Sequence, residues 1–557
     1  MLRGQQHSPR SWVRFKMKIW KGIAIMVGLV AVNVLANWIV WRWDMTQDKR
    51  YSIAEPTKEL LASLEEELQV EVLLDGELNA GFTRLKKATT ELLDELSVYA
   101  EVEYQVGAEA MSEGLAEELE LVPTVIHERT HKGKTAQTTV YPYAVVEYQS
   151  KRAVVLLLKN QRGLSGEENL NRSIENLEFA FAEAIRSLMQ EEVERIAFLE
   201  GHGELDEYAV YDLTQALAQY YQIDRGVLGQ EVGVLDGYKA VVIADPQEPF
   251  SESDKYILDQ YLMQGGRILW VMNGVKFSQA HLEADGMSPI IAQELNVEDM
   301  LYRYGVRVSH CLVQDLQCLM VPVDVSYDPN EPNWQPLPWT YAPLLLASPL
   351  SPVTKKVSQV SATMASAIEL VGGEDGIEKQ VLLATSSNSK LTCSPAKVSL
   401  SLGVDDEESF REKLIPVAVS LEGEFSSLYA HLLPPEEIVS NRAQLKRSKK
   451  TKQIVVASGS TIQNYWQGGQ ALPLGYDRYS QMQFGNRDFM LNAVLYLTDD
   501  EGWLQLREKE FALRLLNDQR AQQQRVQAQV VSIVIPLLLL AAVGAAVMVV
   551  RRKRYCR

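Results

Sequence analysis

Cysteine is scarce in this chain: four residues in 557, at positions 311, 318, 393 and 556. None belongs to a C-x-x-C pair and no spacing matches a zinc knuckle, so thioredoxin-type redox chemistry and small zinc modules are excluded. No G-x-x-x-x-G-K-[ST] run occurs either, so the chain does not itself hydrolyse ATP. Positive charge is short as well, with 55 Lys and Arg against 73 Asp and Glu and a net charge of −18. That balance excludes nucleic acid as a general partner, because phosphate recognition needs a basic face. At 46% hydrophobic and 23% charged residues, the composition is that of a globular protein rather than a disordered or collagen-like one. The length suits three or four domains of roughly 100–200 residues each.

What basic charge there is collects at the ends. Residues 1–21 hold six Lys and Arg and no acid, and residues 551–557 hold five. The remaining 44 face all 73 acids, a net of −29. Each basic end abuts a long uncharged run, Gly22 to Trp41 and Val530 to Val550. Twenty residues of helix span about 30 Å, one hydrocarbon core. Trp38, Trp41 and Trp43 suit a lipid interface. A cleaved signal peptide is the alternative for the first run, but its apolar stretch is too long for one. Two transmembrane helices (22–41 and 530–550) with cytoplasmic basic tails (1–21 and 551–557) follow from the positive-inside rule. Residues 42–529 then lie outside the cytoplasm. Three cysteines remain there, and Cys311 and Cys318 are near enough for a small-loop disulfide, with isolated thiols as the alternative.

Apolar periodicity divides the external region. Residues 42–190 read as β-α-β-α followed by a Val-Pro-Thr strand and a β-meander, a thioredoxin-like α/β order in which Asp75-Gly76-Glu77 replaces the redox motif. Glu167 to Met189 reads as one long helix. Strand–helix alternation over residues 191–321 predicts a doubly wound parallel sheet. Residues 322–352 carry eight prolines and read as a linker or loop. Residues 353–500 continue the α/β domain, and a charged juxtamembrane helix (501–529) leads into the second span.

Two motifs suggest chemistry. His127-Glu128-Arg129-Thr130-His131 matches H-E-x-x-H, which needs a helix to bring both imidazoles to one zinc. The flanking residues read as strand and turn, where positions four apart lie about 13 Å apart. A β-hairpin with a polar tip is the expectation, with no metal site. Glu200-Gly201-His202-Gly203-Glu204-Leu205-Asp206 is placed at the carboxyl end of a parallel strand, where open α/β sheets bind ligands. Glu200, Gly201, His202, Gly203, Glu204 and Asp206 are the candidate binding residues, and Asp206 is a candidate helix cap. A tight β–α turn with a solvated histidine is the competing account. No Ser or Cys nucleophile stands beside His202, so no catalytic residue is assigned. The basic run Lys446 to Lys452 is either a solvated loop or a contact for an anionic partner.

Several longer phrases carry a family resemblance. They include Arg50-Tyr51-Ser52, Leu74-Asp75-Gly76-Glu77-Leu78, Phe198-Leu199-Glu200-Gly201-His202-Gly203-Glu204, Leu312 to Cys318 and Phe484-Gly485-Asn486-Arg487-Asp488-Phe489. Over residues 15–550 the chain resembles the gliding-motility-associated ABC transporter auxiliary (GldG) family. That resemblance implies a non-enzymatic, substrate-binding-like subunit of the inner membrane in Bacteroidota-type bacteria, partnered by an ABC ATPase, a multispan permease and membrane lipid. It implies a periplasmic domain whose sheet is like that of class I amidotransferases, without their cysteine and without a cofactor; the cargo stays open. Ser458-Gly459-Ser460 departs from the Asp-containing version of that segment, which argues against ion binding there. The alternatives are an extracytoplasmic solute receptor, or a hydrolase or amidase with a degenerate site near His202.

Overall fold

A computed structural model describes residues 53–76, 78–107, 119, 121–129, 135–158, 166–189, 193–324, 326, 333–372, 376–400, 407–439, 442–500 and 518–555. The first apolar run, residues 108–118, His131 and residues 501–517 lie outside them. The chain divides into two units, one ending at Lys509 and the other starting at Glu510.

The first unit opens with α1 (Glu55–Ala62), β1 (Leu68–Val72), α2 (Ala80–Leu96) and β2 (Val102–Val106). The Asn79 side chain caps α2 by accepting from the Phe82 N–H at 2.9 Å. After β3 (Thr124–Arg129) and β4 (Thr135–Val140) come β5 (Tyr143–Tyr148) and β6 (Lys151–Leu156). The sheet order is β2-β1-β5-β6, with β1 and β2 parallel and the other pairs antiparallel. The Val-Pro-Thr strand is therefore not in this sheet. It is β3, which pairs only with β4 as a hairpin, His127 opposite Gln137. Pro142, not Pro123, precedes the third strand of the sheet.

Two helices, α3 (Gly166–Glu175) and α4 (Leu177–Met189), replace the single long helix expected there. The break falls at Asn176. In the new first turn Glu178 accepts from the Ala54 N–H at 2.6 Å and from the Thr57 hydroxyl at 3.0 Å, tying α4 to α1. Phe181, Ile185 and Leu188 of α4 share a buried core with Leu68, Val70 and Val72 of β1 and Leu85 and Leu93 of α2.

The second lobe begins with β7 (Arg195–Glu200), α5 (Tyr211–Leu217), β8 (Gln222–Val227), β9 (Tyr238–Ala244), α6 (Glu252–Met263) and β10 (Ile268–Val271). Next are α7 (Glu298–Tyr304), β11 (Val306–Asp315), β12 (Cys318–Asp324) and β13 (Trp334–Ala347). Then follow β14 (Ser366–Leu370), β15 (Glu378–Ala384), β16 (Ser389–Cys393), β17 (Pro416–Gly423), β18 (Thr451–Val456) and α8 (Asn486–Thr498). Among the described residues a ten-stranded sheet runs β12-β13-β15-β17-β18-β10-β9-β7-β8, with Val360–Ser361 added against β13. Strands β8, β7, β9, β10 and β18 are mutually parallel. In chain order that half reads 2-1-3-4-5, the flavodoxin-type arrangement whose order reverses between β7 and β9.

Alternation along each strand sends side chains to two cores. Ile196, Phe198, Val242, Leu269 and Val456 pack with Leu213 and Leu217 of α5 and Phe489 and Val494 of α8. Ala197, Leu199, Ile243, Trp270 and Val455 pack with Ile257 and Leu258 of α6 and Met300 and Leu301 of α7. Helices thus cover both faces, as a parallel sheet requires.

Among its described residues the proline-rich segment is mostly strand rather than loop. Pro322 of β12 stands opposite Pro336 of β13, and Met320 opposite Pro338. Residues 334–338 of β13 pair with β12 alone among the described residues, and an outer ribbon is where strands tolerate prolines.

The second unit contains α9 (Asp518–Tyr555), whose stretch Val534–Lys553 is long and apolar enough to cross a membrane. Pro536 lies inside it, which lipid-spanning helices accept.

Cys311 is bonded to Cys393, its direct partner across β11 and β16, while Cys318 is unpaired. The seven-residue loop weighed from spacing does not form. Nor is Cys311 an isolated thiol, because antiparallel register brings the far cysteine into reach. Closing 82 residues restricts the unfolded chain strongly, so Cys393→Ser should lower unfolding free energy by about 2–4 kcal/mol. Urea unfolding of the full chain in detergent measures this, and reductant should destabilise the parent protein but not the variant.

Candidate functional site

The loop after β7 sits at the point where the strand order reverses, the expected crevice of this sheet class. Its glycines have left-handed backbones, Gly201 at φ 112° and Gly203 at φ 72°, which a side chain would strain. Between them His202 is turned inward and is 6% exposed. Its carbonyl accepts from the Gln247 and Glu248 N–H groups, both at 2.8 Å, which joins the β7 loop to the loop after β9.

The imidazole is fully engaged. Nδ1 meets Glu204 Oε1 at 3.0 Å and Nε2 meets Asp254 Oδ2 at 3.2 Å. Glu204 also folds back to accept from the His202 N–H at 2.7 Å. The ring stacks on Phe250, with centroids 3.8 Å apart. Asp254 is in the first turn of α6, where Ser251 accepts from its N–H at 3.1 Å as helix cap. Burial opposes a charged imidazole, but the hydrogen bonds and fields of Asp254 and Glu204 outweigh it and raise the His202 pKa to about 9. Burial likewise opposes the Asp254 carboxylate, and His202 and Ser251 hold it below the ordinary range.

The other candidates divide by position. Glu200 accepts from Arg225 Nε at 2.7 Å, and the same guanidinium donates to the Leu205 carbonyl at 2.9 Å. Asp206 accepts from the Ala209 N–H at 2.8 Å, closing a turn ahead of α5 rather than capping that helix, whose N-cap is Val210. His202, Glu204 and Asp254 thus converge, whereas Glu200 and Asp206 each serve the loop separately. An imidazole with both nitrogens committed to carboxylates has no lone pair to offer a substrate. Its chemistry is that of a cationic clip between the β7 loop and α6.

The neighbouring strand ends are stitched in the same manner. Asp245, at φ 54° after β9, accepts from Asn273 Nδ2 at 2.7 Å, and Asn273 Oδ1 accepts from the Gly459 N–H at 3.1 Å. A Cβ at Gly459 would lie 2.1 Å from the Asp245 carboxyl carbon, so glycine alone fits there. Burial lifts the Asp245 pKa to about 7, opposed by Gln247.

Beyond β10 lies a cavity of about 270 Å³. Met272, Leu295 and Leu301 form apolar wall, and Asn273, Arg307 and His310 supply polar groups. His310 Nδ1 is 2.7 Å from the Gly274 carbonyl and must donate to it, leaving Nε2 as the acceptor when the ring is neutral. Sequence reading missed Asp254, Phe250 and His310. The Ser251-to-Asp254 spacing signalled a helix start, but nothing in it pointed to a histidine 52 positions away. Among the described residues no group of three or more His, Cys, Asp or Glu is placed to hold a metal.

Residues 194–493 match the family described as ABC-type uncharacterized transport system, and residues 47–147 match one described as Domain of unknown function (DUF7088). No protein of curated function matches the chain. Among solved structures, the mmIFT52 N-terminal domain is 15% identical over 55% of this chain and 97% of its own, with a TM-score of 0.31. Exo-beta-1,4-mannosidase Op5Man5 from Opitutaceae bacterium strain TAV5 is 12% identical over 73% of this chain and 52% of its own, at 0.17. Likenesses at that level carry no argument about function.

Two pH windows follow from the site. An unfolded histidine titrates near 6.5, so the clip's full stabilisation is present below that pH and is lost as pH rises toward 9. Asp245 titrates near 3.8 when unfolded and about 7 when folded, so its contribution is lost between those values. His202→Gln should cost on the order of 2 kcal/mol at pH 6 and flatten the upper window only. Asp245→Asn should flatten the lower window only. Chemical unfolding of the full chain from pH 4.5 to 9.5 distinguishes them, and an unchanged upper slope in His202→Gln would contradict the assignment.

Proposed function

The chain belongs to the ABC-type uncharacterized transport system family, and from that premise we propose that it is the membrane-anchored, non-enzymatic auxiliary subunit of an ABC transporter serving gliding motility. The observation that carries this reading is the family match over more than half of the chain. The ATPase and the permease are separate polypeptides in this account, since the sequence holds no phosphate loop. The external domain holds a partner or cargo, and both basic ends remain in the cytoplasm of the inner-membrane cell. A disulfide between Cys311 and Cys393 supports an oxidising compartment for the domain, the periplasm.

The fold supports the finer assignments in the same direction. A β2-β1-β5-β6 sheet with α2 between its parallel strands supports a thioredoxin-like first lobe without its redox pair. The 2-1-3-4-5 parallel half-sheet supports an amidotransferase-like second lobe. Its crevice is occupied by the protein's own His202, which argues for a scaffold in preference to a degenerate hydrolase.

A second reading, a solute receptor, is favoured by the cavity beside His310, near the lower bound of about 300 Å³ for ligand sites. Purification of the tagged full chain from native membranes tests the first reading. An ABC ATPase and a multispan permease should co-purify, and their absence under mild detergent would overturn it. A compound binding only the folded protein at 100 times its Kd raises stability by about 2.7 kcal/mol. A thermal shift of that kind, lost in His310→Ala, would establish the receptor reading.

A further inference from the structure

The His202 clip fills the crevice at the order reversal, but the carboxyl end of β10 opens onto the cavity of about 270 Å³. There the chain continues as Met272-Asn273-Gly274, all three in the cavity wall. A Cβ at Gly274 would lie 2.1 Å from the Ser309 carbonyl oxygen, so glycine alone lets β11 pass this close to the end of β10. The pairing of β11 with β14 shifts register between Val308 and Leu312, an irregularity of the kind that re-aims side chains beside sites. His310 lies in that interval and donates from Nδ1 to the Gly274 carbonyl. The Gln293 N–H donates to the same carbonyl at 3.0 Å, so Gly274 gathers both residues to one wall.

The floor of the cavity is apolar and its rim is charged. Met272, Leu295, Val297 and Leu301 are each at most 2% exposed, whereas the Asp299 and Arg307 side chains are both 57% exposed. Several polar groups between them use only half of their hydrogen-bonding capacity. Gln293, at 6% exposure, donates from Nε2 to the Pro246 carbonyl at 3.4 Å and the Gln247 carbonyl at 3.3 Å. Its Oε1 accepts from no donor among the described residues. Nε2 of neutral His310 is a second acceptor without a donor. Glu298 accepts from the Leu295 N–H at 2.7 Å through Oε1, which leaves Oε2. On the donor side, Arg307 has only Glu369, 3.9 Å from Nη1 and beyond hydrogen-bond reach. Asn273 is committed to Asp245 and Gly459, and Asp299 to Lys255 at 3.0 Å. What remains is three acceptors and one guanidinium around an apolar floor.

We propose that this cavity binds a small apolar amino acid in its zwitterionic form. Its carboxylate meets the Arg307 guanidinium, its ammonium lies among Gln293, His310 and Glu298, and its side chain rests on the floor. An ammonium has three donors and no acceptor, which matches the three acceptors. A carboxylate matches the planar fork of a guanidinium. A simple acid would leave the acceptors unmet, and a simple amine would leave Arg307 unmet. The volume is at the small end of ligand sites, which excludes a polymer. The inference rests on the receptor reading and gives its solute a chemical class.

Isothermal titration calorimetry of the full chain in nanodiscs tests this with L-leucine and three compounds that each lack one part of it. Isocaproate lacks the ammonium, isoamylamine the carboxylate and glycine the side chain. L-leucine should bind, and each of the others should bind about tenfold more weakly or worse. Arg307→Gln should weaken L-leucine about tenfold and leave isoamylamine unchanged. Glu298→Gln, which can still accept from the Leu295 N–H, should weaken isoamylamine and leave isocaproate unchanged. Misfolding would not produce these opposite selectivities. Equal affinity for L-leucine and either isocaproate or isoamylamine would overturn zwitterion recognition. Binding of L-leucine that neither variant changes would overturn its assignment to this cavity. If none of the four compounds binds while another gives the His310-dependent thermal shift, the amino-acid class is overturned and the receptor reading stands. If none binds and no compound gives that shift, both fall.

Discussion

A parallel sheet has to be covered on both faces, and that constraint organises the second lobe. Its strands cannot expose a polar side to water as an antiparallel sheet can. Residues at both parities along β7, β9, β10 and β18 are therefore apolar and fully buried, and helices must return on alternate sides. The carboxyl ends of all five strands then lie along one edge, where the backbone runs out of ladder partners. Every group at that edge must find another partner or a ligand.

This chain supplies the partners itself. His202, Glu204 and Asp254 satisfy one another at the order reversal, and Asp245, Asn273 and Gly459 do so one strand further on. A buried imidazolium between two carboxylates is costly to desolvate, and removing one member would leave an unpaired charge. Such a cluster suits a joint that fixes two loops and a helix in one arrangement. It suits turnover poorly, since a catalytic base needs a free lone pair within reach of its proton. The cluster thereby fixes the surface that the two loops and α6 present.

How much of this was legible depended on the range of each signal. The parallel strands and α6 were readable because period-2 and capped period-3.6 patterns are local, as where Ser251 caps Glu252–Met263 by accepting from the Asp254 N–H. The Glu200–Asp206 loop was placed at the strand end for the same reason. Partners distant in sequence were not readable: Asp254 to His202, Cys393 to Cys311, Glu178 to Thr57. Nor was the third strand of the first sheet, because two Pro-preceded strands compete there and only tertiary pairing selects Tyr143–Tyr148 over Thr124–Arg129. The prolines of β12 and β13 misled in the opposite direction. They forbid a central strand but not an outer ribbon, and composition alone does not say which side of a strand is free.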